Sequence, residues 1–306
     1  MRKRHDPFLK LLYKAGARDA VRLFFPDLAS HIDWERVQWV DKEVPVLSSE
    51  DGTRAMVADL VGVTRDVEGR YLEVLLHPEL QMRAPADMGW RVLQYNAGLM
   101  LQQASPDARV LTIVFYHCRG VGGIREERYS VDFHGHSVLE VGYWSVGLGD
   151  LDADQYVESD NPMAWALASW MRHHRKGRPE LRLRLQERIL RLVSDAWYRR
   201  LLWDTVRTYF RLNPAEQEEE QRLIRSGQFG EVREMAETWL GRFEEDAERR
   251  AHQTAIIHVL QARFDVVPDD IEGRIREVRA FGTLERLTRR AATAPSLDEF
   301  RKALPH

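Results

Sequence analysis

The sequence predicts a mixed α/β chain of the α+β type, in which an αβββαβ block precedes a mostly α-helical C-terminal extension. Two apolar runs, over 55–63 and 71–81, are separated by a glycine-containing turn signal, which is typical of consecutive strands. Apolar residues at helical spacing over 87–103 precede the continuous apolar run 109–117. Beyond Pro179 nearly every segment has helical spacing. These three observations predict the fold class.

The N-terminal part of the block predicts helices followed by a strand. Apolar residues at helical spacing indicate a helix over 7–25, with a break at Gly16 and an end at Pro26. A second short helical piece covers 28–34, and the run 37–40 begins the first strand. The block therefore opens with a helix.

Two more strands, a helix and a fourth strand follow. Strands over 54–63 and 71–77 form a predicted hairpin. The helix over 87–103 has Asp87 as its candidate N-cap. The strand 109–117 is continuously apolar, as in strands that are buried on both faces.

The rest of the chain predicts two more strands and then helices. The strands cover 129–133 and 138–146. The helices cover 161–171, 180–210, 214–226, 229–263, 269–279, 283–293 and 297–304. This change of character predicts two domains, one over 1–175 and a helical C-terminal region over 176–306.

Composition indicates a soluble protein with a substantial core. Of the 306 residues, 44% are apolar and 30% are charged. The apolar run 110–118 is far shorter than the roughly 20 residues of a membrane helix, and charged residues interrupt the segment where a signal peptide would be apolar. The single cysteine, Cys118, excludes an intrachain disulfide and a cysteine-rich zinc site. We therefore expect a cytoplasmic protein with no membrane partner.

Charge is unevenly distributed along the chain. The net charge of −3 argues against a globally basic nucleic-acid-binding protein. Segment 172–191, however, has eight Lys or Arg against two Glu, and 216–248 has eleven acidic against four basic residues. The first segment could contact a phosphate backbone, with Arg175 and Lys176 as candidates. Alternatively, the two segments are solvated helix faces that partly neutralise each other.

Two carboxylates mark the candidate site. Asp59 lies in the first apolar run and Glu79 near the end of the second, and the midpoint between them is residue 69. A hairpin that turns at Glu68-Gly69 therefore brings the two carboxylates nearly opposite each other. Gln81 lies two residues after Glu79, so both share a face of the strand. Paired carboxylates at a sheet edge are ligands that Mg²⁺ prefers.

Several short segments follow the order and spacing of motifs in one known family. They are His5–Lys10, Val40–Glu43, Ala58–Leu60, His77–Gln81, Arg91–Tyr95, Glu158–Pro162 and the helical tail over 260–300. Each motif is weak by itself, and their combined order is fairly specific. Over almost its whole length the chain resembles the Rpn/YhgA-like family of recombination-promoting nucleases and transposases, within the PD-(D/E)XK nuclease superfamily.

The resemblance implies a magnesium-dependent nuclease site. Asp59 and Glu79 would bind Mg²⁺, or Mn²⁺, with help from the backbone carbonyl of Leu80. Gln81 stands where the wider superfamily has a lysine, and Gln carries no positive charge. Lys10 or Lys42 would then supply that charge. We expect Lys10 to point into the site.

Other residues near this motif have two interpretations each. Pro78 departs from the family pattern and predicts that the strand ends or bulges there. Arg91 and Tyr95 share a helix face. On one interpretation they brace the acidic site or contact phosphate. On the other, Tyr95 belongs to the core and Arg91 to an ion pair. His77 is more often a structural histidine than a ligand. The pair His173-His174 has no evident acidic partner.

Three functions compete at this point. The leading hypothesis is a Mg²⁺-dependent DNA endonuclease that hydrolyses phosphodiester bonds, in recombination, mobile-element biology or defence. The second is a DNA-binding or regulatory relative that has lost activity through Pro78 and the missing lysine. The third is an interaction module in which the helix over 229–264 supports a homodimer.

Overall fold

The computed structural model describes residues 7–40, 43–46, 54–57, 60–71, 73–103, 107–174 and 177–305, with the backbone alone for 43–46 and 54–57. The chain divides into two compact units, Met1–Val232 and Arg233–His306. This division differs from the expected one after residue 175. Helices that follow residue 177 pack on earlier helices of the first unit, which is why they belong to it.

The described strands form two sheets. In chain order the strands are β1 (Gln38–Val40), β2 (Glu43–Val46), β3 (Arg54–Val57), β4 (Val61–Thr64), β5 (Val74–Gln81), β6 (Arg109–Tyr116), β7 (Ile124–Phe133) and β8 (His136–Gly147). The larger sheet has the order β1-β4-β5-β6-β8-β7 and mixes parallel with antiparallel pairs. Strands β5, β6 and β8 run parallel. Strands β2 and β3 form a separate pair.

Helices account for most of the remaining described chain. They are α1 (Pro7–Phe24), α2 (Pro26–Ser30), α3 (Met88–Leu101), α4 (Pro162–Leu167), α5 (Arg178–Leu192), α6 (Ala196–Tyr209), α7 (Pro214–Arg225), α8 (Gly230–Phe264), α9 (Asp269–Glu277), α10 (Phe281–Thr293) and α11 (Leu297–Arg301). Together with the mixed sheet they confirm the α+β class. No helix in the described parts of the chain is long and apolar enough to cross a membrane.

The hairpin between β4 and β5 has the predicted register. Gly62 lies opposite Leu76 and Thr64 opposite Val74, so the pairing is centred on residue 69. Gly69 has a φ of +72°, a conformation that glycine adopts without the steric cost of a Cβ. The predicted single strand over 54–63 is wrong, however, because β3 pairs with β2 and β4 with β5.

Pro78 lies inside β5 without ending the strand. The carbonyls of Glu73 and Gln81 accept hydrogen bonds from the next strand, at N–O distances of 3.0 and 2.7 Å. Successive peptide groups of a strand point to alternate sides, so the backbone N–H and C=O groups of the odd-numbered residues of β5 point toward β6. The backbone nitrogen of Pro78 therefore points away from β6. The parallel β5–β6 register continues unbroken to Gln81.

Helices cover both faces of the larger sheet. On one face, Tyr95 of α3 packs its ring against His77, with ring centroids 4.7 Å apart. On the other face, Tyr13 of α1 packs against Phe115, also at 4.7 Å. Side chains alternate along a strand, so His77, Glu79 and Gln81 all face α3. The polar residues of β5 are therefore enclosed between strand and helix.

The C-terminal part of the first unit differs from prediction at one helix. The predicted helix over 180–210 is two helices, α5 and α6, because Asp195 caps α6 by accepting a hydrogen bond from the backbone N–H of Tyr198.

In the hairpin of β7 and β8, His134 and Gly135 both have positive φ, as a type I′ turn requires. Asn161 caps α4 as its position before Pro162 predicts.

The second unit has its own apolar core. Residues from α8 to α11 form one buried cluster, which includes Ile256, Leu260, Ile271, Leu284 and Phe300. Apolar residues at helical spacing predicted these helices, and each of them is present in the described chain. The homodimer proposed for this region stays a prediction.

Candidate functional site

Glu79 is a fully buried carboxylate on a central strand of the sheet. Its side chain has 0% solvent exposure, and β6 pairs with β5 alongside it. Burying a carboxylate is unfavourable unless other groups compensate its charge and satisfy its oxygens. The residues around Glu79 therefore decide what this site can do.

One oxygen of Glu79 is held by two donors. Gln81 donates from Nε2 to Oε1 at 2.7 Å, and Arg91 of α3 donates from Nη2 to the same oxygen at 2.9 Å. Burial lowers the pKa of Arg91, but its hydrogen bond with Tyr95 and the charge of Glu79 outweigh that effect, so the net shift is upward. Arg91 is thus a permanent positive charge that faces Glu79.

A second chain of buried polar groups runs from His77. Its Nδ1 lies 3.2 Å from Oγ1 of Thr112 on β6, and that hydroxyl donates to Oδ1 of Asn96 on α3 at 2.6 Å. His77 and Thr112 are neighbours in the β5–β6 register. The hydrogen bonds of Glu79 and those of His77 and Thr112 together connect α3 to β5 and β6.

Two atoms remain without hydrogen bonds in this cluster. Oε2 of Glu79 and Nε2 of His77 are buried, and neither has a hydrogen-bond partner among the described residues. They lie 3.5 Å from each other. Since buried polar atoms are nearly always paired, this gap is the most informative feature of the site.

The site contains some of the predicted residues. Glu79, Gln81 and Arg91 lie together, and Leu80 follows Glu79 on β5 with its side chain on the opposite face. Asp59, Arg175 and Lys176 lie outside the described residues, as does Lys42. The expectation that Asp59 stands opposite Glu79 therefore stays a prediction, although the β4–β5 register is the one it assumed.

Lys10 lies on the other side of the sheet from α3. It is partly buried on α1, one helical turn before Tyr13, which packs against Phe115. Its predicted role as the positive charge of the site is untested. Arg91 already brings a positive charge to Glu79, which the sequence left open.

Arg91 and Tyr95 act inside the cluster in this structure. Tyr95 is only 2% exposed and contacts the ring of His77, so its side chain does not face a ligand at the surface. Arg91 is engaged with Glu79. Tyr95 therefore belongs to the apolar core and Arg91 to an ion pair, as one of the interpretations of the sequence predicted, and the geometry does not favour contact of either residue with phosphate.

The basic segment after residue 172 is largely neutralised. Arg178 and Arg182 of α5 form ion pairs with Glu216 and Glu220 of α7. Arg188 pairs with Glu158. These contacts favour the interpretation that the basic and acidic segments neutralise each other, and they leave less positive charge for a phosphate backbone than the sequence count suggested.

A second group of metal-binding residue types lies on the surface. Nε2 of His174 is 3.2 Å from Oδ2 of Asp154 and 3.8 Å from Oδ2 of Asp152. Sequence analysis missed these acidic partners because a backbone bridge between Asp152 and Arg172 brings them together. The group is exposed, and Asp152 already caps the short 3₁₀ helix Ala153–Gln155.

Sequence analysis also missed Thr112 and Asn96. Thr112 is a single hydroxyl in an apolar strand and Asn96 a single amide on the buried face of α3. An isolated polar residue inside an apolar pattern is the signal that could have indicated them.

Comparison of the chain with protein-family models, with curated proteins and with solved structures finds no match.

Proposed function

We propose that this protein is a divalent-cation-dependent DNA endonuclease that uses Mg²⁺ or Mn²⁺ and has a PD-(D/E)XK-like core. The observation that carries the proposal is the buried carboxylate of Glu79, which has one oxygen held by Arg91 and Gln81 and one oxygen with no hydrogen-bond partner among the described residues. The order of a helix, antiparallel strands, α3 and a parallel strand agrees with the resembled superfamily.

The arrangement of donors suits a cation. Because both hydrogen bonds end on Oε1, they fix the plane of the carboxylate and leave Oε2 as a ligand atom. Carboxylate oxygens are preferred ligands of Mg²⁺ and Mn²⁺. Asp59 is the proposed second carboxylate, in keeping with the register of the hairpin.

Residues of the chain would then have separate roles. Glu79 and Asp59 would hold the cation, which would supply polarisation of the scissile phosphodiester and a more acidic bound water. Gln81 orients a water molecule through its amide, which both donates and accepts hydrogen bonds. Arg91 would position Glu79 through its hydrogen bond to Oε1, and Lys10 or Lys42 is the proposed source of the positive charge that the motif lacks.

A second candidate function rests on the enclosure of Glu79. A side chain with no solvent exposure and an arginine partner is also what a structural ion pair looks like. On this alternative the protein is a non-catalytic relative that binds DNA or regulates another protein. Both candidates share the same fold, so only an activity measurement separates them.

Plasmid cleavage tests the proposal. Supercoiled DNA is incubated with the full chain and Mg²⁺, Mn²⁺ or EDTA, and wild type is compared with Asp59→Asn, Glu79→Gln and Glu220→Gln. Glu220 is the matched control, because it is also a buried carboxylate in an arginine pair, away from the sheet. We expect metal-dependent nicking that the first two substitutions abolish and the control retains. DNA binding without cleavage would support the non-catalytic candidate, and cleavage that survives Glu79→Gln would refute the site.

A further inference from the structure

The orientation of His77 follows from its partner. The hydroxyl hydrogen of Thr112 is used in the 2.6 Å bond to Asn96, so the hydroxyl oxygen can only accept from Nδ1 of His77. An imidazole ring that donates from Nδ1 presents Nε2 as its metal-binding atom. That atom lies 3.5 Å from Oε2 of Glu79.

Two buried polar atoms that lie close together, with no hydrogen-bond partner among the described residues, call for an electropositive group between them. Nε2 and Oε2 are 3.5 Å apart, and both side chains have no solvent exposure. Ligand atoms that lie about 2.0–2.1 Å from one metal ion are about 2.8–3.0 Å from each other at octahedral angles and about 3.3–3.4 Å at tetrahedral angles. The observed separation of 3.5 Å is close to that of two ligands at tetrahedral angles.

We propose that His77 Nε2 and Glu79 Oε2 bind the same divalent cation, and that this site therefore selects a first-row transition-metal ion over Mg²⁺. Imidazole nitrogen suits ions such as Mn²⁺, Co²⁺ and Zn²⁺, whereas Mg²⁺ prefers an all-oxygen shell. Thr112 has the role that outer-shell groups have at such sites, because it holds Nδ1–H and aims Nε2. The inference deepens the proposed function and rests on it for the role of Glu79 as a ligand.

Metal binding by the full chain tests this assignment without any activity assay. Mn²⁺ is titrated into the metal-free protein and free Mn²⁺ is followed by electron paramagnetic resonance, with Mg²⁺ as competitor. We expect Mn²⁺ to bind at least tenfold more tightly than Mg²⁺. His77→Gln should remove most of that preference, and Thr112→Val should weaken Mn²⁺ binding by about 10–100-fold, as loss of an outer-shell partner does.

A control variant separates this site from the surface group. His174→Ala removes the histidine beside Asp152 and Asp154, a second group in the described chain that could take the same ion. We expect that variant to bind Mn²⁺ as wild type does. Loss of binding in His174→Ala alone would overturn the proposal and assign the ion to the surface.

Nuclear magnetic resonance of ¹⁵N-histidine-labelled protein gives a direct view of the ring and guards against variants that do not fold. The metal-free wild type should show His77 with hydrogen on Nδ1, and Zn²⁺ should shift the Nε2 resonance. Metal binding that leaves Nε2 unshifted and survives His77→Gln, but is lost in Glu79→Gln, would overturn the role of His77 and leave the proposed nuclease site intact. Absence of any binding of Mn²⁺ or Zn²⁺ would also overturn it, while plasmid cleavage with Mg²⁺ would still decide the proposed function.

Discussion

Substitution of Arg91 by methionine should strongly destabilise the first unit. The change removes the positive charge and leaves Glu79, whose side chain has no solvent exposure, buried without its ion-pair partner. Removal of one member of a buried ion pair costs about 3–5 kcal/mol. Because 20% of the Arg91 side chain is exposed, water can partly replace it, and the lower end of that range applies, about 3 kcal/mol.

Tryptophan fluorescence during urea unfolding measures this loss in the unit where it occurs. The chain has nine tryptophans, and all except Trp239 precede residue 233, so the signal reports the first unit. A loss of about 3 kcal/mol corresponds to a fall in melting temperature of about 6–12 °C for a unit of this size. Arg128→Met is the matched control, because the Arg128–Glu140 pair is exposed on both sides and its loss should cost less than about 1 kcal/mol.

A double variant identifies the cause of the destabilisation. Arg91→Met combined with Glu79→Gln removes the unpaired charge together with its partner, so the double variant should be more stable than Arg91→Met alone. A cost of Arg91→Met no greater than that of the exposed control would show that the Arg91–Glu79 pair is not a stabilising buried ion pair. A double variant as unstable as the sum of the two single variants would show that the unpaired charge of Glu79 is not the cause.

Three further predictions concern residues outside the site. Asn161→Ala should cost about 2 kcal/mol in urea unfolding, because Asn161 is buried, accepts a hydrogen bond from the N–H of Met163 and donates one to the carbonyl of Asp19. Gly135→Ala should cost about 1 kcal/mol and lower the melting temperature, since residue 135 has a φ of +82° and alanine is strained there; an unchanged melting temperature would contradict this account of the turn. Backbone N–H groups of the loop after β6 donate to the carboxylate of Asp150 and lower its pKa below the ordinary 3.8. The stability that Asp150 gives the loop is therefore present above pH 3.8 and is lost as the pH falls through the folded-state pKa. The carboxyl resonance should titrate below 3.8, and a midpoint at or above 3.8 would contradict this account.

Local patterns predicted the secondary structure well because each depends on neighbours in sequence. Helical spacing and the proline at its first position predicted α7 to within one residue of its C-terminal end. The same reasoning failed over 180–210, where apolar spacing continues across a break that Asp195 makes by capping α6. It failed again over 54–63, where two strands read as one because their apolar run is continuous.

The partners of Glu79 were only partly predictable. Gln81 was identified because it is two residues away on the same strand, where strand geometry alone sets the relation. Arg91 was placed near the site, but whether it braces the carboxylate or contacts a ligand depended on how α3 packs on the sheet. Thr112 joined the site only through the parallel register of β5 and β6, which no local pattern contains.

The sequence by itself determined most of the order of helices and strands and the hairpin register centred on Gly69. Short-range steric and apolar preferences decide these features, and they repeat with the period of each element. The tertiary structure alone decided that Arg91 neutralises Glu79 and that His77 faces it through an oriented ring. These contacts join residues on different elements, and their geometry exists only once α3, β5 and β6 have packed together.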